Sequence, residues 1–326
     1  MGRALLIFLL MFSLAGCGQL GSGPKERKSL VPRTVVMGSF THPEGTRNFR
    51  LYLPPRTAEL PLMVLLHGCT QTAQDFALGT SMDRLADQLG FAVLYPEQLP
   101  EANGSRCWNW FDPSHQDRGS GEPAILADMA AGLAQKYGLY PSQMAVAGLS
   151  AGGAMAVILA ATYPDRFAFL GVVAGLEYKA AKSLPEAFAA MATGGPDPSQ
   201  QGLAVCQSWG RKAYRLPLLV FHGDSDTTVN PVNGEQVYQH WLVAHQACGS
   251  AQDLREQRFT VNEGGRSATV RQMEDGQGIL AEFWLVQGMG HRWPGGNALG
   301  SYTDPQGPEA SRRIAERWTA ILKGGE

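Results

Sequence analysis

Short apolar runs with no polar break constrain this chain more than any other feature. Leu62 to Leu66, Phe91 to Tyr95, Met144 to Ala147 and Leu218 to Phe221 are continuous in this sense. A strand with one wet face alternates apolar and polar residues, so unbroken runs fit strands covered on both faces. Between them lie stretches with helical patterning, Ala73 to Leu89, Pro123 to Tyr137, Ala151 to Tyr163 and Gly234 to Ala247. Strand and helix in alternation predict an α/β fold with a mostly parallel central sheet and helices on both faces. Phe49 to Leu53 alternates like a half-exposed strand, Arg255 to Val261, Ala268 to Met273 and Leu280 to Val286 form a later strand group, and Pro308 to Leu322 reads as a closing amphipathic helix. The weakly periodic region Gly175 to Leu216 is expected to be a cap or insertion over a site. No Pro/Gly/Ser-rich linker interrupts the pattern from about Val35 onward, so residues 34–326 are expected to form one domain.

The N-terminus reads differently. Met1 to Gly16 carries Arg3, an apolar run from Ala4 to Phe12, and then Ser13 to Gly16. This is the pattern of an export signal, too short for a stable membrane span. Leu14-Ala15-Gly16-Cys17 resembles the bacterial lipoprotein box, which implies removal of residues 1–16 and acylation of Cys17 as the new first residue. Residues 17–33 then form a tether, and Gly18 directs the product to the outer membrane if the source is Gram-negative. The alternative is an ordinary secretory signal, with no lipid. The 27 basic and 29 acidic side chains form no clustered basic surface, which excludes a nucleic-acid footprint.

Five cysteines are an odd number, and assigning Cys17 to the anchor leaves Cys69, Cys107, Cys206 and Cys248. Export favours oxidation, and these four allow three pairings. Pairing Cys69 with Cys107, and Cys206 with Cys248, would tie the loop after Leu66 to the aromatic segment Cys107-Trp108-Asn109-Trp110-Phe111. The alternative is that some stay reduced and merely buried.

Gly148-Leu149-Ser150-Ala151-Gly152 joins a buried strand to a small-residue helix, the context in which a serine is presented on a sharp turn. A serine hydroxyl needs a base, an orienting group for that base, and donors for the oxyanion that forms. Of seven histidines, His291 follows the last long strand in a flexible Gly-Met-Gly loop and is the expected base, with His222 second. His67 and His222 each end a strand in a His-Gly pair and read as turn residues. Asp226 is the expected orienting acid, because it lies far enough beyond the strand Leu218 to Phe221 to reach an imidazole; Asp224 is expected to cap the turn. Ala151 supplies one oxyanion amide at a helix N-terminus. The second comes from His67-Gly68-Cys69-Thr70-Gln71, with Cys69 the first choice and Thr70 the alternative.

These segments, in this order, resemble the poly(3-hydroxybutyrate) depolymerase family of esterases, related to feruloyl and acetylxylan esterases within the α/β-hydrolase fold. The marks are Leu66 to Gln71, Leu94-Tyr95-Pro96-Glu97-Gln98, Cys107 to Phe111, Ala147 to Gly153, Phe221 to Asp226, and Gly290-His291-Arg292-Trp293-Pro294-Gly295-Gly296. The resemblance implies a triad of Ser150, Asp226 and His291 with the Cys69 amide in the oxyanion hole. It implies hydrolysis of carboxylic esters, such as 3-hydroxybutyrate oligomers or feruloyl and acetyl esters. No metal, no cofactor and no obligate protein partner is expected. Trp108, Trp110 and Trp293 are the candidate substrate-contacting indoles. Acyl transfer to an acceptor other than water, and a non-catalytic surface binding protein, are the alternatives.

Overall fold

The computed structural model describes residues 2, 32–56 and 59–324. The candidate signal, Cys17 and the tether therefore lie, apart from residues 2, 32 and 33, outside the described residues. In chain order the elements are β1 (Thr34–His42), β2 (Gly45–Leu53), β3 (Leu62–Leu66), α1 (Ala73–Thr80), α2 (Met82–Leu89), β4 (Ala92–Glu97), α3 (Gly121–Tyr137), β5 (Met144–Leu149), α4 (Ala151–Thr162) and β6 (Phe167–Val173). They continue as α5 (Leu184–Thr193), α6 (Pro198–Ser208), β7 (Leu218–Gly223), α7 (Val232–Ala247), β8 (Arg255–Glu263), β9 (Arg266–Asp275), β10 (Gly278–Val286), the short pair β11 (Trp293–Pro294) and β12 (Thr303–Asp304), and α8 (Ala310–Gly324).

The main strands form one ten-stranded sheet in the order β1-β2-β4-β3-β5-β6-β7-β10-β9-β8. Every neighbour from β4 to β10 is parallel, while β1 and β2 on one margin and β9 and β8 on the other pair antiparallel. The unbroken runs behave as expected: all of β3 is buried, with Leu62, Val64 and Leu66 on one face and Met63 and Leu65 on the other. The first face packs against Ile125 and Met129 of α3, Met155 and Ile158 of α4, and Trp241 of α7. The second packs against Phe76 of α1, Leu85 of α2, and Ile314 and Trp318 of α8. Each fully buried side chain of this kind contributes roughly 1.5–3 kcal/mol, so a charge at Val64 would be fatal to the sheet.

Two departures from the sequence pattern have physical causes. The single helix expected over Ala73 to Leu89 breaks at Ser81, which sits at φ 51°. The carbonyl of Gly79 accepts from the amide of Asn297 at 2.8 Å, and Ser311 Oγ donates to the carbonyl of Thr80 at 2.6 Å, so these acceptors serve distant segments. The strands β1 and β6 were not anticipated. β6 follows the apolar helix α4 so closely that its run reads as more of the same, and the side chains of β1 alternate between half-buried and exposed.

Because β3, β5, β7 and β10 run in one direction, their C-terminal ends lie along one edge of the sheet. This edge is where open α/β sheets place ligands.

Candidate active site

Ser150 occupies the turn from β5 into α4 with φ 57° and ψ −121°, a conformation a side chain adopts only when its surroundings force it. The forcing is visible in the flanking glycines. A Cβ on Gly148 would stand 2.3 Å from the carbonyl oxygen of Gly152, and one on Gly152 would stand 2.1 Å from that of Leu66. The Ser150 amide donates to Val173 at 2.9 Å, tying the turn to the end of β6.

Asp226 and His291 arrive from the ends of β7 and β10. His291 Nδ1 lies 2.7 Å from Asp226 Oδ2. The other carboxylate oxygen accepts the amides of Thr228 and Val229, each at 2.9 Å. Burial would raise the Asp226 pKa, but the contacts with His222 and His291 and the Val229 amide outweigh it and hold the group well below the carboxylate range. Asp226 is therefore an anion that can only accept, so Nδ1 of His291 carries a proton, and in the neutral imidazole this tautomer leaves the lone pair on Nε2. His222, the second candidate base, is fully buried, with Nε2 2.8 Å from the carbonyl of Val229 and 3.4 Å from Asp226 Oδ2. Asp224 does not cap its own turn through the backbone as expected: its Oδ1 accepts the Gly288 amide of a distant segment at 2.7 Å.

The loop after β3 is braced on several sides. Cys69 is disulfide-bonded to Cys107, and Cys206 to Cys248. The Thr70 amide donates to Ser105 at 2.7 Å, which removes it as an oxyanion donor. Among the described residues the amides of Cys69 and Ala151 have no protein acceptor, and both residues line the same cavity as Ser150. His67 donates from Nδ1 to the Gly68 carbonyl at 2.7 Å and accepts the Gln98 amide on Nε2 at 3.1 Å, and its burial lowers its pKa to about 4. Sequence reasoning assigned no role to Gln71, Gln98 or Glu122. Yet buried Glu122 accepts from Arg47 at 3.0 Å and from the Asn109 amide at 2.7 Å, fixing the aromatic segment that carries Cys107. Gln71 and Gln98 lie inside the sequence marks quoted above; Glu122 gives no local signal.

Ser150 and His291 border a cavity of about 610 Å³. One wall is α5, which presents Leu184, Ala187, Phe188 and Met191, so the weakly periodic region does stand over the site. Trp110 lines the cavity. Trp108 and Trp293 do not, and their expected substrate role is corrected: both are fully buried. The Trp108 indole donates to the carbonyl of His67 at 3.1 Å, and the Trp293 indole stacks edge-on against Phe76 and donates to Ser311 Oγ at 2.9 Å. An anion-orienting acid, an imidazole with a free nitrogen, a half-buried hydroxyl opening on the cavity and unpaired amides are what acyl transfer through a serine requires.

Known proteins similar to this chain are esterases. Residues 47–259 match the family model described as esterase PHB depolymerase. The chain is 33% identical over 269 residues to poly(3-hydroxyalkanoate) depolymerase C of Paucimonas lemoignei, covering 82% of this chain and 63% of that protein. It is 30% identical over 253 residues to the probable acetylxylan esterase A of Neosartorya fischeri, covering 73% of this chain and 67% of that one. The chain thus spans just under two thirds of the depolymerase. Among solved structures, the acetyl xylan esterase from Aspergillus awamori superposes with a TM-score of 0.63 at 22% identity, over 78% of this chain and 94% of that one, a likeness of fold.

Proposed function

Since the chain belongs to the PHB depolymerase family of esterases, we propose that it is a serine carboxylic-ester hydrolase in which Ser150, His291 and Asp226 form the triad. The observation that carries this reading is the 2.7 Å contact between Asp226 and His291 on the rim of the cavity that Ser150 enters on its strained turn. Ser150 Oγ bonds to the ester carbonyl carbon as its proton passes to His291 Nε2. The oxyanion is held by the Cys69 and Ala151 amides. The bond to the alcohol oxygen then breaks, His291 returns the proton to that oxygen, and water repeats the sequence on the acyl-enzyme. Substrates are short 3-hydroxyalkanoate esters or acetyl and aryl esters; the apolar α5 wall suits their acyl half.

Export and lipidation at Cys17 complete the proposal, supported by the box Leu14 to Cys17 and by two disulfides, which persist in oxidising compartments. Residues 34–326 would then act as one domain on a short tether. The enzymatic test is labelling with a fluorophosphonate together with hydrolysis of p-nitrophenyl butyrate. Both are expected in the wild type and absent in Ser150→Ala, whose melting temperature should be near that of the wild type. Normal turnover by Ser150→Ala would falsify the mechanism. For the anchor, detergent-phase partitioning of the full chain should be lost in Cys17→Ser.

A further inference from the structure

Resting on the esterase reading above, we infer that Arg292 forms a subsite for a free carboxylate on the alcohol half of the substrate. His291, Thr70 and Tyr302 are shared by two hollows: the mostly apolar cavity under α5, and a shallow groove on its other side completed by Gly290, Arg292 and Ser301. Thr70 Oγ1 and Tyr302 Oη meet at 3.1 Å, forming part of the common wall. Cavity and groove differ sharply in chemistry. The cavity offers Leu176, Leu184, Phe188 and Met191, whereas the groove offers hydroxyls and a guanidinium.

The mechanism decides which half of an ester lies in which hollow. His291 must hand its proton to the departing alcohol oxygen, so the alcohol half lies on the His291 side and the acyl half takes the apolar cavity. Arg292 is the next residue along that side.

Its charge is also unmatched. Neighbouring arginines are paired with carboxylates: Arg266 with Asp304, Arg313 with Glu263, Arg312 with Glu309, and Arg317 with Glu282. Among the described residues Arg292 makes no ion pair. It donates from Nη1 to the Thr303 carbonyl at 3.1 Å, which steadies the side chain and leaves further donors of the guanidinium for a ligand. Asp75, which contacts Ser301 of the groove, is already engaged: Oδ1 accepts the Ser301 amide at 3.0 Å, and Oδ2 accepts from Ser301 Oγ and from Gln71 Nε2. In an ester whose alcohol half is a 3-hydroxy acid, the carboxyl carbon is the third atom from the ester oxygen. A carboxylate so placed lies within reach of a guanidinium beside the general acid, and a charge-assisted pair there would select it.

The test compares the linear dimer of 3-hydroxybutyrate, which carries a free carboxylate, with its methyl ester. The wild type should favour the acid. In Arg292→Gln the ratio of kcat/KM for acid over methyl ester should fall about tenfold, with the loss in KM, and Arg292→Lys should recover part of it. Added salt should erode the wild-type preference in the same direction. An unchanged ratio in Arg292→Gln, or a wild type indifferent to the carboxylate, overturns the inference. Both readouts need only a working esterase, so inactivity toward p-nitrophenyl butyrate would instead mark failure of the hydrolase reading.

Discussion

Gln71 joins two loops that are far apart in sequence: its Oε1 accepts the Gly68 amide at 2.9 Å, and its Nε2 donates to the Ser301 carbonyl at 3.1 Å. The loop proposed to hold the oxyanion is thereby fastened to the loop that carries Tyr302. Gln71→Leu would leave the buried Gly68 amide without an acceptor and free the Cys69 amide to wander. The expected result is a drop of about 10–100-fold in kcat with little change in KM, since an oxyanion donor acts on the transition state. A change confined to KM would argue against this positioning role.

Asp226 and Asp224 lie two residues apart and should respond very differently. Asp226→Asn removes the anion that fixes the His291 tautomer, and activity should fall by about 10,000-fold. Asp224→Asn keeps an oxygen for the Gly288 amide, and activity should stay within about threefold. Equal losses in the two variants would reverse the assignment of the acid.

Acid should weaken the fold well before it protonates Asp226. His67, His240 and His245 are buried and each has its pKa lowered to about 4, with burial the main cause and backbone contacts partly opposing it. Between the unfolded value of about 6.5 and the folded value, the unfolded chain binds protons that the folded chain does not. Stability therefore falls as pH drops through that window, by up to roughly 1.4 kcal/mol per unit for each histidine. Melting temperatures measured from pH 7 to pH 4 should decline steadily, and a flat profile would contradict the burial of neutral imidazoles.

Glu177 has the opposite sign. Both of its carboxyl oxygens are buried without a protein partner among the described residues, and burial, reinforced by Asp197, pushes its pKa up to about 8. Its contribution is intact below the unfolded carboxylate value and is lost as pH rises toward 8, because the unfolded chain ionises first. Glu177→Gln should therefore stabilise the fold at pH 8, on the order of 4 kcal/mol and read as a higher melting temperature, and lose that advantage near pH 4. A variant less stable than the wild type at both pH values would mean the carboxyl has an ionised partner.

Much of this was legible in the sequence where the information was local. The buried runs located β3, β5 and β7, and their ends located Ser150, Asp226 and the loop of Cys69, because a strand covered on both faces has a compositional signature. What could not be read depended on what a residue meets from elsewhere in the chain. Leu184, Ala187, Phe188 and Met191 share one side of α5, yet a sequence does not say whether such a stripe meets a core or a cavity; here Phe188 remains 62% exposed at the mouth. The same blindness misassigned Trp108 and Trp293, whose indole N–H groups find acceptors inside the molecule. The break at Ser81 depends on Asn297, more than two hundred residues away.

The parallel register has a consequence in time as well as in space. Met63 pairs with Ala145, and Leu218 with Ala281, so the strand ends bearing the serine, acid and imidazole align only after distant parts of the chain have docked in parallel. Such pairings are slow to form, since a long loop must close before they reward it. During refolding, helical signal should return early and esterase turnover last, making the reaction itself a clock for completion of the sheet.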